Sequence, residues 1–238
     1  MSLTDERTRL WQEASRKEPG GERYKGLASY ARAGLHDHVV GVVARHLPPP
    51  AAILDLAAGS GALSQRLLDK GYAVSASDYV ADNFRLSIPF RTADLNLDFA
   101  HGEYDAIVAC EIIEHLENPW HFLRQCRKMS PRLILTTPNP DSPISKANYL
   151  RSGHFHWFSQ DDYRIQGHIS PLHPHALCNC AAECGYRIED LHTFGTVWEY
   201  GGPRLRLLAR LIDRLDKSPR ELRGDILVAF LNEGGPPL

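Results

Sequence analysis

Ile53-Leu54-Asp55-Leu56-Ala57-Ala58-Gly59-Ser60-Gly61-Ala62-Leu63 is the run that decides the fold. It spells a short apolar strand carrying a carboxylate, a turn of small residues, and a helix over 60–70. Two close glycines between a buried strand and a helix let a doubly wound α/β sheet bring its backbone against a nucleotide-like ligand. The turn alone leaves that ligand open. In the dinucleotide pattern G-x-G-x-x-G the third glycine would fall on Ser64, and the Gly-Lys-Ser/Thr of a phosphate loop is absent.

Outward from this run, strands and helices alternate. Apolar segments at 51–56, 72–77, 87–92, 104–109 and 132–137 read as strands, with helical stretches between most of them, including 119–128. That alternation predicts a parallel sheet covered on both faces. An insertion over 138–171 follows, then a helix at 174–184 capped by Gly185, a strand at 186–192, an amphipathic helix at 204–215 and a last strand at 225–231. Ahead of the sheet, helices are expected at 4–17, ended by Pro19-Gly20-Gly21, and at 25–46, stopped by Pro48-Pro49-Pro50. Residues 1–50 then form a lid or brace, and 51–238 the main domain.

The 238 residues suffice for one large domain with a sizeable core. A net charge of −2 gives no global field toward nucleic acid or an anionic membrane. No apolar run approaches the ~18 residues of a membrane-spanning helix. The polar first residues lack the apolar centre of a secretion signal, and five cysteines, an odd number, point to reduced thiols and a cytoplasmic setting.

The ligand is narrowed by acids. In such a sheet it lies beyond the carboxyl ends of the strands, where Asp55, Asp78, Asp94 and Glu111 fall at or just after strands one to four. Four carboxylates repel a pyrophosphate but suit a cofactor bearing positive charge and ribose hydroxyls. S-adenosylmethionine, with a sulfonium, an ammonium and a ribose, has that chemistry. Taken singly, Asp55 could cap a helix and Asp94 could close a turn.

DLAAGSG (55–61), the acid closing VSASD (74–78), Ala93-Asp94-Leu95, YDAIVACEIIEHL (104–116), LTTPNP (135–140) and GYRI (185–188) together resemble the class I S-adenosylmethionine-dependent methyltransferases over roughly 50–195. The resemblance implies a Rossmann-like, mostly parallel sheet of seven strands with an antiparallel last strand. It implies that Asp55, Ala57, Gly59 and Gly61 hold the methionine end. Asp78, with Tyr79 beside it, would take the ribose, Asp94 the adenine amino group and Leu95 the ring, with Glu111 bordering the cofactor. The chain departs from the family at Ala57, where glycine is usual. If that residue needs positive φ, alanine costs about 1 kcal/mol.

Glu111, Glu114 and His115, if helical, stand at i, i+3 and i+4 and share a face that suits a divalent cation, Mg²⁺ or Mn²⁺. The E-x-x-E-H spacing resembles that of ubiquinone-biosynthesis O-methyltransferases and of RNA 3′-terminal 2′-O-methyltransferases. In the latter a further histidine follows the fifth strand, a place His154 or His156 could fill. The competing reading is a metal-free site in which His115 supports a turn.

The insertion is expected to carry the acceptor. His156 and His168 are the candidate bases, and Gly167-His168-Ile169-Ser170-Pro171-Leu172 resembles a G-H-x-x-x-[FL] run of small-molecule methyltransferases, which favours His168. The reading is methylation of an oxygen on a small-molecule or glycan-like acceptor. Its rivals are a metal-dependent RNA 3′-terminal 2′-O-methyltransferase and a cofactor-binding partner subunit without turnover. His173, His175, Cys178, Cys180 and Cys184 do not match zinc spacing and are expected to pack. Arg204, Arg206, Arg210, Arg214 and Lys217 flank an apolar stripe expected to sit on the sheet with its arginines in solvent; the sharper reading is a basic surface for a phosphorylated, lipid-linked or nucleic-acid substrate.

Overall fold

The computed structural model describes residues 22–234; the helix expected at 4–17 lies outside them. The second expected helix, 25–46, is shorter than its pattern. Strands β1 (Arg23–Tyr24) and β2 (Leu27–Ala28) form a hairpin, and helix α1 spans only Leu35–His46. The hairpin turn has positive φ at both central residues, 49° at Lys25 and 87° at Gly26, the type I′ geometry that matches strand twist. Gly34, at φ 80°, then starts α1.

The remaining elements are β3 (Ala52–Leu56), α2 (Ala62–Asp69), β4 (Ala73–Asp78), β5 (Phe90–Thr92), β6 (Ala106–Cys110), α3 (Pro119–Met129), β7 (Arg132–Pro138), α4 (Pro143–Ser152), α5 (Gln160–Gln166), α6 (Pro174–Glu183), β8 (Tyr186–Phe194), α7 (Pro203–Leu215) and β9 (Ile226–Glu233). β5 begins three residues later than its apolar pattern, directly after Pro89, which has no N–H to donate.

Seven strands form one sheet in the order β5-β4-β3-β6-β7-β9-β8. Pairing is parallel from β5 through β7, and β9 runs antiparallel to both β7 and β8. This is the Rossmann-like sheet the sequence implied. Strand order reverses between β3 and β6, so the crevice beyond their carboxyl ends is where such a sheet takes a ligand.

The period-two alternation of β3 divides the core. Leu54 and Leu56 face a layer containing Phe122 of α3 and Leu177 of α6. Ile53 faces Val39 and Val43 of α1 and Leu67 of α2. A third, smaller cluster stands apart, in which Ile144 and Ala147 of α4 meet Leu205 and Ala209 of α7. α7 therefore packs on α4, not on the sheet as its amphipathic pattern suggested.

The insertion is more regular than expected. Ser142 accepts a hydrogen bond from the Ser145 N–H ahead of Pro143 and starts α4; Ser159 and Asp162 form a capping box on α5. Gly153 and Gly167, at φ 77° and 79°, end the two helices.

Candidate functional site

Asp55, Asp78, Asp94 and Glu111 all line one cavity of about 820 Å³ at the reversal of strand order. Its cofactor end is held by the first two. Asp55 is 1% exposed and accepts a 2.6 Å hydrogen bond from Ser64 Oγ on α2. Burial pushes its carboxyl up to about 7, with Asp78 adding to the rise. Asp78 accepts from the Gly59 N–H on one oxygen and the Val80 N–H on the other, both at 2.8 Å. These bonds tie the glycine turn to β4, yet burial still raises the Asp78 pKa. Tyr79 also lines the cavity.

The turn needs its glycines. Gly61 sits at φ 92°, and a Cβ there would stand 3.0 Å from Leu86 and 3.1 Å from Phe84. Gly59 sits at φ 54° with the Tyr30 ring 3.2 Å from a Cβ. Ala57 is at φ 59°, the region where an L side chain is strained. Asp94 closes a turn by accepting from the Asn96 N–H at 2.9 Å, and Leu95 is buried behind it.

The other end of the cavity differs from expectation. Glu111, Glu114 and His115 do not share a helix face: Glu111 stands at φ 53°, and only Ile113–His115 turns, as a 3-10 helix. The short segment must leave the end of β6 and pass under the chain at Ile169 and Ser170, whose N–H groups both donate to the Glu114 carbonyl at 2.9 Å. Glu111 turns back to β7 and accepts from Thr136 Oγ1 at 2.8 Å, with burial pushing its carboxyl up to about 8. Glu114 is completely buried. One of its oxygens accepts from Thr137 Oγ1 at 3.0 Å; the other accepts no hydrogen bond and has His115 Nε2 at 3.8 Å. Burial, reinforced by the Glu111 charge, raises the Glu114 pKa well above the carboxylate range.

His168 completes this group. A ligand atom from each of Glu114, His115 and His168 lies within 4.8 Å of the others, the one such cluster among the described residues. Glu111 is not part of it. Neither His154 nor His156 fills the further histidine's place: His154 bonds Asn148, and His156 packs against Trp157 and Tyr200 without lining the cavity. His168 Nδ1 lies 2.7 Å from the Trp157 carbonyl. A carbonyl only accepts, so Nδ1 carries the proton and Nε2 keeps its lone pair. Burial lowers the pKa of both His168 and His156.

A second group closes this end and had no signal in the sequence. Asp225, 2% exposed, accepts from Trp157 Nε1 at 3.1 Å and from Tyr200 OH at 2.9 Å, and pairs with Arg32. Arg32 also bonds Tyr200 OH at 2.7 Å and pairs with Glu199. Arg32, Trp157, Tyr200 and Asp225 all line the cavity. Trp157 is a further non-glycine residue at positive φ, 69°. With Ala57 and Glu111, three strained residues thus border one cavity, a clustering typical of working sites.

The cysteine-histidine run does not converge. Cys180 and Cys184 are buried in the core, His173 bonds Asp141 at 2.7 Å, and His175 lies 3.3 Å from Asn179.

A family model described as a methyltransferase domain matches residues 27–191. The ubiquinone biosynthesis O-methyltransferase of Caulobacter vibrioides is 34% identical over 89 residues, which cover 32% of this chain and 35% of that protein. The chain thus spans about a third of the length of the curated relatives it matches. Among solved structures, magnesium protoporphyrin IX methyltransferase from Synechocystis PCC 6803, with bound SAH, superposes with a TM-score of 0.59 at 15% identity, covering 95% of this chain and 94% of that one. A putative methyltransferase from Bacillus halodurans gives 0.56 at 14% identity, covering 84% and 99%. At these identities the two structures speak for the fold.

Proposed function

Because this chain belongs to the methyltransferase-domain family, with S-adenosylmethionine as its cofactor, we propose that it methylates an oxygen of a small-molecule or glycan-like acceptor. The observation that carries this reading is His168, whose protonated Nδ1 leaves Nε2 a free base inside the cavity that the four acids line. Asp55 and the Gly59–Gly61 turn take the methionine end, Asp78 and Tyr79 the ribose, Asp94 the adenine amino group and Leu95 the ring face. Glu111 borders the sulfonium.

Transfer is an in-line displacement at carbon. The acceptor oxygen forms a bond to the methyl group as the carbon–sulfur bond breaks, and the electron pair leaves with sulfur. The acceptor hydroxyl proton goes to His168 Nε2. Burial keeps that imidazole neutral at pH 7, and the Trp157 carbonyl keeps its ring oriented. Alignment and exclusion of water supply the rest. A reducing, cytoplasmic setting accords with five cysteines that are all free.

One observation favours a metal-assisted form of this reading. Glu114 has a buried oxygen without a hydrogen bond, facing two imidazoles. One carboxylate and two histidines fit a divalent ion, Mn²⁺ better than Mg²⁺ because two donors are nitrogen. Glu114, His115 and His168 would hold it, with His168 Nε2 then a ligand instead of the base, and when bound it would supply Lewis-acid activation of the acceptor hydroxyl, whose proton would pass to solvent.

The test is calorimetry with S-adenosylmethionine, followed by methyl transfer to a panel of hydroxyl acceptors, RNA 3′ ends included, with chelator and with added Mn²⁺. Cofactor binding with transfer lowered in His168→Gln is expected. No cofactor binding at millimolar ligand would overturn the reading. Transfer to RNA ends alone would replace the acceptor. Transfer indifferent to chelator would remove the ion.

A further inference from the structure

Among the described residues, α7 is the one helix with a regular stripe of large apolar side chains facing outward. Nine large hydrophobic residues are exposed among the described residues, and seven of them sit on α4, α5 and α7. Leu207, Leu211 and Leu215, at 70%, 54% and 73% exposure, repeat every four residues and form a single stripe. They do not share the face through which α7 is held, since Leu205 and Ala209 are the residues buried against α4.

The stripe has a charged border. Arg206, Arg210 and Arg214 repeat at the same spacing one position earlier, so an arginine row runs alongside the leucine row. Across residues 203–220 six cations stand against two acids, in a chain whose net charge is −2. Both acids are engaged, Asp213 by Arg223 and Asp216 by Lys146. Arg204, Arg210 and Arg214 make no ion pair among the described residues. Lys146 reaches Asp216 at 2.6 Å, and Leu150, 71% exposed, follows Lys146 by one turn of α4.

We propose that this outer face of α7 seats the protein on an anionic phospholipid surface, with the leucines among the acyl chains and the arginines at the headgroups. A leucine row beside an arginine row is the pattern of helices that lie in a bilayer interface. Charge complementarity separates this occupant from a second copy of the chain, because two such faces brought together would oppose arginine rows with no free acid to offset them. No helix among the described residues is long and apolar enough to cross a membrane, so the attachment is to the surface. α7 starts three residues after Tyr200 on the cavity wall, so the docked helix begins beside the acceptor end of the site.

Flotation of the full chain with vesicles tests the assignment, and it requires no methyl transfer. Binding is expected to vesicles of phosphatidylcholine with added phosphatidylglycerol, weaker binding to pure phosphatidylcholine, and a decline with salt. Leu207→Ser with Leu211→Ser and Leu215→Ser should lower the partition coefficient about tenfold or more. Arg210→Glu with Arg214→Glu should do the same on anionic vesicles only. Melting temperature and S-adenosylhomocysteine affinity should stay unchanged in both variants. Absence of flotation, or flotation unaffected by the serine substitutions, overturns the proposal. A dimer in sedimentation velocity that the same substitutions dissolve, without flotation, assigns the stripe to a second copy instead.

Discussion

The two ends of the cavity are built by different means. At the cofactor end, Asp55, Gly59, Gly61 and Asp78 come from two consecutive strands and the turn after the first, and the bonds to the two acids span two to nineteen residues. At the acceptor end, Arg32 meets Asp225 across 193 residues, Trp157 meets Asp225 across 68, and Ser170 meets Leu116 across 54. Local chain geometry makes the first end and tertiary contacts make the second. A cofactor common to a family suits a site that the strand–turn–helix unit forms unaided. An acceptor peculiar to one member suits a wall assembled from several distant segments, each open to change.

The strongest way to break this contrast is at Asp225. Asp225→Ala leaves Trp157 Nε1 and Tyr200 OH without their acceptor and Arg32 with Tyr200 OH and a single carboxylate, Glu199. Removing one partner from a buried charged network should cost about 3 kcal/mol in chemical denaturation. If the ends are as separate as their bonding suggests, S-adenosylhomocysteine affinity should stay within about twofold, since distant sites act independently. A large loss of cofactor affinity would show that the long-range network supports both ends.

His168→Gln sharpens the same contrast within the chemistry. Losing a general base costs about 100- to 1,000-fold in kcat, and the cofactor Kd should not follow. The histidine was legible in the sequence, but its role depended on contacts that were not. Nothing in Gly167-His168-Ile169 says that the Trp157 carbonyl fixes the ring, because that bond needs α5 folded between them. The reading of Glu111, Glu114 and His115 as one helix face failed for a related reason. The i, i+3, i+4 spacing permits a helix, but hydrogen bonds from Thr136 of β7 and from the chain at 169–170 hold the segment as a tight turn. By contrast, the alternation of strands with helices and the four acids at the strand ends followed from strand period and spacing, and the seven-stranded sheet with its antiparallel last strand from the family resemblance. Within the insertion no helix was expected, although Ser142-Pro143 and Ser159 with Asp162 carry the cap chemistry that starts α4 and α5.

At the cofactor end the contrast predicts a pH effect. Asp55, held at about 7 by burial, binds a proton in the folded apo state that the unfolded chain, at about 3.9, has released. The sign follows: its contribution to apo stability is full below about pH 4 and is lost as pH rises through 7. A cationic cofactor favours the ionised form, so S-adenosylmethionine affinity should rise by up to about tenfold per pH unit below 7 and level off above it. Calorimetry in buffers of different ionisation enthalpy should register the released proton. Asp55→Asn should flatten the profile; a wild-type profile already flat would mean that Asp55 is ionised before the cofactor arrives.

The smallest effect expected is at Ala57, the one residue of the glycine turn that strains it. At φ 59° an alanine costs about 1–2 kcal/mol relative to an unstrained backbone, and glycine would relieve that while adding freedom to the unfolded chain worth about 0.5–1 kcal/mol. Ala57→Gly should therefore stabilise the protein by about 0–1.5 kcal/mol, read as a small rise in the denaturation midpoint at unchanged slope. The two ends should again respond differently. A turn already held by Asp78 through Gly59 N–H should tighten on S-adenosylmethionine slightly or not at all, and kcat, set at the His168 end, should not move. A loss of stability would mean that the methyl group of Ala57, packed against the core around Leu56, contributes more than the backbone strain removes.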